Sequence, residues 1–221
     1  MGAGLATKQK IIEVAESLFA QKGFKDTSLR AITSQANVNL ASVNYHFGDK
    51  KSLIRAVLNR YLEEFMPQLE HELLSIEGRD DLSMYDVFYT LKSPLIKLDK
   101  EFDKGASRFL LLVGRGYSDV QGHLRWFITT RYGHVLDKFS DAVCKANPNL
   151  DQQTLFWRLH FTLGACVFTM ASSEALLDIA NSEFDVETDI EAMFEQIVPF
   201  LAAGMSASYP THSLIKRRER I

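Results

Sequence analysis

Apolar residues recur along most of this chain at the three- and four-residue spacing of helices buried on one side. Ile11, Val14, Ala15, Leu18 and Phe19 form one stripe, which predicts a first helix over about 8–22, capped by Thr7 and ended at Gly23. Leu29 and Ile32 supply the inner face of a short second helix from Ser28 to Gln35, with Thr27 as the expected N-cap. The four residues 36–39 then read as a turn, because Asn37 tolerates left-handed backbone and Asn39 can cap the next helix. That third helix is expected from Leu40 to Phe47, stopped by Gly48. Asp49 caps a long fourth helix that begins at Lys50 and reaches Ile76. Further on, Pro94 falls within a helix expected to start near Leu82, Gly114 and Gly116 end another near Tyr117, and the last two helices span about 151–180 and 187–208. The fold class is therefore all-α.

The third helix is too short to be stable alone, since isolated helices below about 12–15 residues are marginal in water. Leu40, Val43 and Phe47 make the stripe by which neighbouring helices would hold it. At 100° per residue the opposite side is left to Ala41, Ser42 and Tyr45, with Asn44 and His46 on the flanks. That face is small, polar and aromatic, without acids. Two short helices joined by a four-residue turn and propped by a longer one are the arrangement that fits a helix into a major groove of duplex DNA. Ser and Asn can bond base edges or phosphates, Ala41 lets the backbone approach, and Tyr45 and His46 can reach phosphate oxygens. Lys50 adds a cation where the free N–H groups of a helix start already favour an anion.

Charge sharpens this picture. The net charge of −3 conceals a segregation: residues 1–60 hold nine Lys/Arg against four Asp/Glu, whereas the remainder holds 16 against 24. A basic head on an acidic body suits a module that replaces counterions on phosphates while the rest is repelled from the duplex, although a solvated basic face without function has the same composition. Composition is ordinary for a soluble protein, with 46% hydrophobic residues. The longest stretch without charge or histidine, Phe161 to Ser173, falls well short of the roughly 20 apolar residues that cross a bilayer. No leader-like segment opens the sequence, so no membrane partner and a cytoplasmic location are expected. Cys144 and Cys166 lack the spacing of a disulfide framework or a zinc site, and the six histidines are scattered, so neither cofactor nor metal is expected. Catalytic signatures such as HExxH, GxSxG or a P-loop are missing as well, which argues against an enzyme.

The run NVNLASVNYHFGDKKSL from Asn37 to Leu53, with TSLRAIT at 27–33, resembles the helix-turn-helix of the TetR family, in which a Tyr-x-Phe element followed by Lys and Leu closes the motif. The resemblance implies a dimeric, ligand-responsive repressor that grips operator DNA and is not an enzyme. It also implies DNA contacts at Arg30, Ser42, Asn44, Tyr45, His46 and Lys50, and the same two short helices add Ser28, Asn39 and Ala41 to the expected DNA-binding set. Asn37 stands where the family often has glycine, a difference Asn accommodates in the same backbone conformation. Domains are accordingly expected at 1–50 for the DNA-binding helix-turn-helix, 51–208 for a helical ligand-binding and dimerisation domain, and 209–221, with KRRER at 216–220, for a flexible tail.

Segments at 122–139, 155–170 and 198–205 look like the PsrA-type branch of that family, whose members respond to long-chain fatty acids or their acyl-CoA esters. Twelve of the 15 phenylalanines lie beyond residue 60, which suits an apolar ligand and suits a core equally. The expected ligand-binding set is Arg108, Phe109, Arg115, Trp126, Phe127, Phe161 and Phe168, with an arginine holding a carboxylate or phosphate. Each arginine also has a plain reading as a surface ion pair or a side chain laid along apolar surface. Between Leu155 and Leu177 the apolar residues spread around the whole helix, so one side is expected to face a second subunit, with packing inside one monomer as the rival explanation. Small residues at Gly164, Ala165, Ala202, Ala203 and Gly204 would let helices approach, giving a homodimer through the last two helices that matches a palindromic operator. A TetR-type regulator of some other hydrophobic molecule, or a helical acyl-binding protein or enzyme, is the alternative.

Overall fold

The computed structural model describes residues 3–118 and 122–208. The tail expected at 209–221 lies outside the described residues. Eleven helices and no strand occur among them: α1 (Ala3–Asp26), α2 (Leu29–Ala36), α3 (Leu40–Phe47), α4 (Lys50–Ile76), α5 (Met84–Tyr89), α6 (Lys92–Glu101), α7 (Gly105–Ser118), α8 (Gly122–Ala146), α9 (Gln152–Ala171), α10 (Ser173–Phe184) and α11 (Ile190–Ser206).

Helix α1 starts earlier than its stripe implied, which leaves Thr7 inside the helix rather than at its cap. Ile11, Ala15 and Phe19 are wholly buried. Gly23, at φ 82 and ψ 168, breaks the helical path where a residue with a Cβ would be strained. The expected cap at Thr27 is also displaced. Its buried hydroxyl donates to the carbonyls of Leu18 and Gly23, at 3.1 and 2.8 Å, and so closes α1. Ser28 opens α2 instead, accepting from the Ala31 N–H at 3.1 Å. The rest of the motif obeys its local chemistry. Asn37 is left-handed at φ 51, and Asn39 caps α3 by accepting from the Ser42 N–H at 2.8 Å. Gly48 ends α3 at φ 79, and Asp49 caps α4 by accepting from the Ser52 N–H at 2.7 Å.

Helix α4 buries Leu53, Val57, Leu58, Tyr61, Leu62, Phe65, Leu69 and Leu73 and packs against α1, α3, α6, α7 and α8, so it is the shared spine of the molecule. The helix expected from Leu82 is two. Ser83 and Asp86 form a reciprocal capping box that starts α5, and Pro94 sits in the first turn of α6, where its missing N–H costs no helical bond. Gly114 and Gly116 do not end their helix but lie within α7, which runs to Ser118. A Cβ on Gly114 would stand 2.6 Å from Val167 Cγ1, so glycine permits the close approach of α7 and α9. The helix expected over 151–180 breaks at Ser172 with a bend of 70°. Beyond the bend the buried Ser173 hydroxyl shares a 3.0 Å hydrogen bond with Ser107, which pins the start of α10 to α7. One continuous apolar cluster runs from Ile11 in α1 to Met205 in α11.

Candidate nucleic-acid interface and ligand cleft

Val43, wholly buried, anchors α3 against the helices around it, while Phe47 is half-buried beside the core. Leu40 departs from the expected stripe: it sits in the first turn of α3 and is 43% exposed. The opposite face is open as its polar character requires. Ser28, Arg30, Asn39, Ala41 and Asn44 are exposed, Ser42, His46 and Lys50 are half-exposed, and Tyr45 stands out at 85% exposure. Neither α2 nor α3 carries an acid.

Local hydrogen bonds decide which atoms remain available on that face. Asn39 Oδ1 accepts from both the Ser42 N–H and the Ser42 hydroxyl, at 2.8 and 3.0 Å, so the amide NH₂ of Asn39 is the end turned to other work. Ser28 Oγ is occupied by its capping bond. The Tyr45 and His46 rings meet edge to face at 5.0 Å, which fixes their relative orientation. Lys50 Nζ donates to the Lys25 carbonyl at 3.3 Å, drawing the ammonium to the place where α1 ends and α4 begins. Hydrogen bonds from Ser52 hold the Asp49 carboxyl below the usual carboxylate range, so the acid serves as a cap and stays ionised.

The residues expected to bind a ligand do not converge. Phe109 is a core ring, 5.1 Å from Phe65 and 5.8 Å from Tyr61. Arg108 is an ion-pairing residue, 2.8 Å from Asp103 and 3.5 Å from Glu16. The Arg115 Nε is enclosed without a hydrogen-bond partner among the described residues. Phe127 packs half-buried beside the core, whereas Trp126 is exposed. Phe161 and Phe168 point outward from α9, 67% and 65% exposed, because the inner side of that helix is taken by Leu159, Cys166, Val167 and Met170. With Trp157 they make an apolar strip at i, i+4 and i+11, and Phe200 on α11 is exposed as well.

A cleft of about 340 Å³ opens elsewhere, between α4, α7 and α8. Leu58, Val113, Leu124, Ile128 and Leu136 give it apolar walls, and Arg125 adds a cation. Helix α8 supplies most of this wall, with Leu124, Ile128 and Leu136 at i, i+4 and i+12, but nothing in the sequence joins them to Leu58 of α4 or Val113 of α7. The α7 wall of the cleft also reaches the N-terminal helices: a Cβ on Gly116 would meet Leu124 at 3.1 Å and Phe24 at 3.8 Å. Beside it, His123 Nε2 is enclosed with no hydrogen-bond partner among the described residues. Burial first, then Arg55 and Lys51 of α4, push the imidazole below the usual histidine range.

Two family profiles match the chain. Residues 11–57 fit that of the bacterial regulatory proteins of the tetR family, and residues 90–204 fit the tetracyclin repressor-like C-terminal domain, together well over half the length. The chain belongs to the TetR family. Among curated relatives of this TetR-family protein, the probable HTH-type transcriptional regulator YttP of Bacillus subtilis (strain 168) is 42% identical over 66 residues, 30% of this chain and 32% of that protein. The biofilm operon icaADBC HTH-type negative transcriptional regulator IcaR of Staphylococcus epidermidis (strain ATCC 35984) is 32% identical over 132 residues, 58% of this chain and 67% of that protein. The chain thus spans about a third of the first and two thirds of the second. Solved structures share the fold. A HlyIIR mutant covers 94% of the chain at TM-score 0.62 and 14% identity, with all of its own length aligned. A TetR-like regulator from Rhodococcus sp. RHA1 covers 91% at TM-score 0.57 and 15% identity, with 97% of its length aligned. The family and these relatives are transcription regulators rather than enzymes. No single helix among the described residues is long and apolar enough to cross a membrane.

Proposed function

We propose that this TetR-family chain is a cytoplasmic repressor that binds palindromic operator DNA as a homodimer and releases it when a long-chain fatty acid or acyl-CoA enters its helical body. Residues 1–50 act as the DNA-binding head and 51–208 as the ligand-binding and dimerisation domain. The observation that carries the reading is the acid-free outer face of α3, on which Tyr45 is 85% exposed while Val43 holds the helix from behind. Ala41, Ser42 and Asn44 are sized and functionalised for base edges, and Arg30, Tyr45, His46 and Lys50 for phosphates. The negative regulation named for the Staphylococcus epidermidis relative supports repression as the direction of control. Pairing is supported by the outward strip of Trp157, Phe161 and Phe168 on α9 and by Phe200 on α11, because an apolar strip of that size is costly to leave in water.

The effector reading is supported by the cleft between α4, α7 and α8, whose size falls at the lower end of small-molecule sites and whose apolar walls suit a hydrocarbon chain. Arg125 is the cation suited to a carboxylate or phosphate at the end of such a chain. Occupancy would press on Leu124 and on Gly116, the point of α7 that lies beside Phe24 near the end of α1. A ligand preference of roughly 100-fold for the DNA-free state, near 2.7 kcal/mol, lies within usual allosteric coupling and would loosen the grip on the operator.

Fluorescence anisotropy of a labelled duplex from upstream of the protein's own gene, at fixed salt, tests both parts. Tight, salt-dependent binding that palmitoyl-CoA or oleate reverses is the expected result. Failure to bind any selected duplex in dilute buffer overturns the repressor, whereas binding that no acyl compound disturbs removes only the acyl effector.

A further inference from the structure

Glu16 is a carboxylate on the inward side of α1, beside wholly buried Ala15 and only 5% exposed. A charge in that position is costly unless paired, and its two oxygens are paired to two different helices. Glu16 Oε2 lies 2.7 Å from Arg60 Nη1 on α4, and Oε1 lies 3.5 Å from Arg108 Nη1 on α7. Tyr61, wholly buried next to this carboxylate, is pushed above the usual phenol range by its burial and then by Glu16, so it stays neutral. Arg60 is further fixed over the Phe102 ring at 5.2 Å. Glu16 falls in the segment matched to the N-terminal family profile and Arg108 in the segment matched to the C-terminal one, with Arg60 between them.

The two pairs differ in a way that matters. Arg60 is shielded and directly bonded, whereas Arg108 is half exposed, more distant from Glu16 and already 2.8 Å from Asp103 on its own side of the molecule. Arg108 can therefore leave Glu16 without losing a partner, and Glu16 keeps Arg60 when it does. Apolar contact between α1 and the body resists separation but is non-directional and tolerates small rotation. Guanidinium and carboxylate hydrogen bonds are directional and set an angle.

We propose that Glu16 is a positioning residue for the DNA-binding head: its bond to Arg60 ties α1 to α4, and its exchangeable contact with Arg108 sets the angle of the head against the body and passes on the effector signal. The passing on of the effector signal rests on the function proposed above, whereas the setting of the head angle can be read without DNA.

Nitroxide labels on the exposed native Cys144 of α8 and on Gln21→Cys of α1 report the head-to-body distance by pulsed electron resonance, with unlabelled protein added so that each assembly carries one labelled chain. Cys166, a second free thiol and only partly buried, is replaced by serine in every variant so that labels sit at these two sites alone. The wild type should give one narrow distance, and Arg108→Gln a distribution at least twice as wide with its melting temperature nearly unchanged. Glu16→Gln should broaden it further; if that variant fails to fold, Arg108→Gln decides alone, because its side chain is half exposed. In anisotropy assays Arg108→Gln should reduce the ratio of duplex affinities without and with palmitoyl-CoA at least tenfold. Wild-type distance width in Arg108→Gln, or an unchanged affinity ratio, overturns the proposal. A wild type that binds no duplex overturns the function proposed above and leaves the distance measurement to decide this one.

Discussion

Truncating Phe161 to alanine separates a surface that a second copy covers from one that water covers. The side chain is 67% exposed on a single chain, so its removal leaves no cavity in the protomer. An aromatic ring of this kind buries 150–250 Å² when fully enclosed, so truncation would withdraw roughly 100 Å² of apolar contact from each protomer of a paired face. Two copies at about 25 cal/mol per Å² give about 5 kcal/mol as an upper value, and half of that if the ring stays partly wet. At 1.4 kcal/mol per tenfold, dimer dissociation should rise between about 60-fold and several thousandfold. Sedimentation velocity over a dilution series reads this directly, and circular dichroism at concentrations where both proteins are monomeric should show equal melting. The contrast is Phe109, whose ring lies in the core against Tyr61 and Phe65: its truncation should cost about 3–5 kcal/mol of folding stability. A dissociation constant for Phe161→Ala within threefold of the wild type, or a wild type monomeric throughout, would refute the reasoning.

Tyr45→Phe and Lys50→Ala should weaken binding to every duplex alike, whereas Asn44→Ala should also blunt discrimination by about 1–3 kcal/mol at one base pair; competition with single-base operator variants distinguishes the two, and equal affinity in all three mutants would remove α3 from the groove. Gly114→Ala gains about 1 kcal/mol of helix propensity but drives a methyl to 2.6 Å from Val167, an overpacking worth about 1–3 kcal/mol, so urea unfolding should show a net loss that Val167→Ala relieves in a double-mutant cycle. His123 is held below its ordinary value of 6.5 by burial, Arg55 and Lys51, with Asp49 opposing, so the folded state binds fewer protons than the unfolded one just below that pH. Its contribution is complete above pH 6.5 and shrinks as pH falls, and His123→Gln should therefore flatten the drop in melting temperature as pH is lowered from 6.5; an unchanged slope would exclude His123 as the cause.

The head was legible because each of its punctuation marks acts on its immediate neighbours. Asn37, Asn39, Gly48 and Asp49 each do what their side chains or lack of one require within three residues. The errors begin where the deciding partner is distant in sequence. Thr27 and Ser28 are equivalent as N-caps, and the choice falls on Ser28 only because Thr27 is drawn to the carbonyl of Leu18, nine residues back. Ser172 breaks α9 from α10 in a stretch whose composition reads as one helix, with Ser173 held by Ser107, 66 residues away. Glu16 carries no local sequence signal for the same reason, since its partners lie on α4 and α7. The cleft was least visible of all, being the space left between three helices rather than a property of any one.

Helix α9 shows how one distant contact can settle a whole face. Its sequence is apolar all round, so periodicity alone assigns Phe161, Val167 and Phe168 to either side with equal justice. Gly114 breaks the tie, because only a glycine on α7 admits the Val167 branch so closely, and that contact fixes the rotation of α9 about its axis. At 100° per residue, Phe161 and Phe168 then both lie about 100–120° around the helix from Val167, on the same side as each other and away from α7. Their exposure results from that rotation, so a change that shifts the Gly114–Val167 contact should also turn the apolar strip by which two copies are proposed to meet. Gly114→Ala is accordingly expected to weaken dimerisation as well as folding, although it touches no residue of the strip.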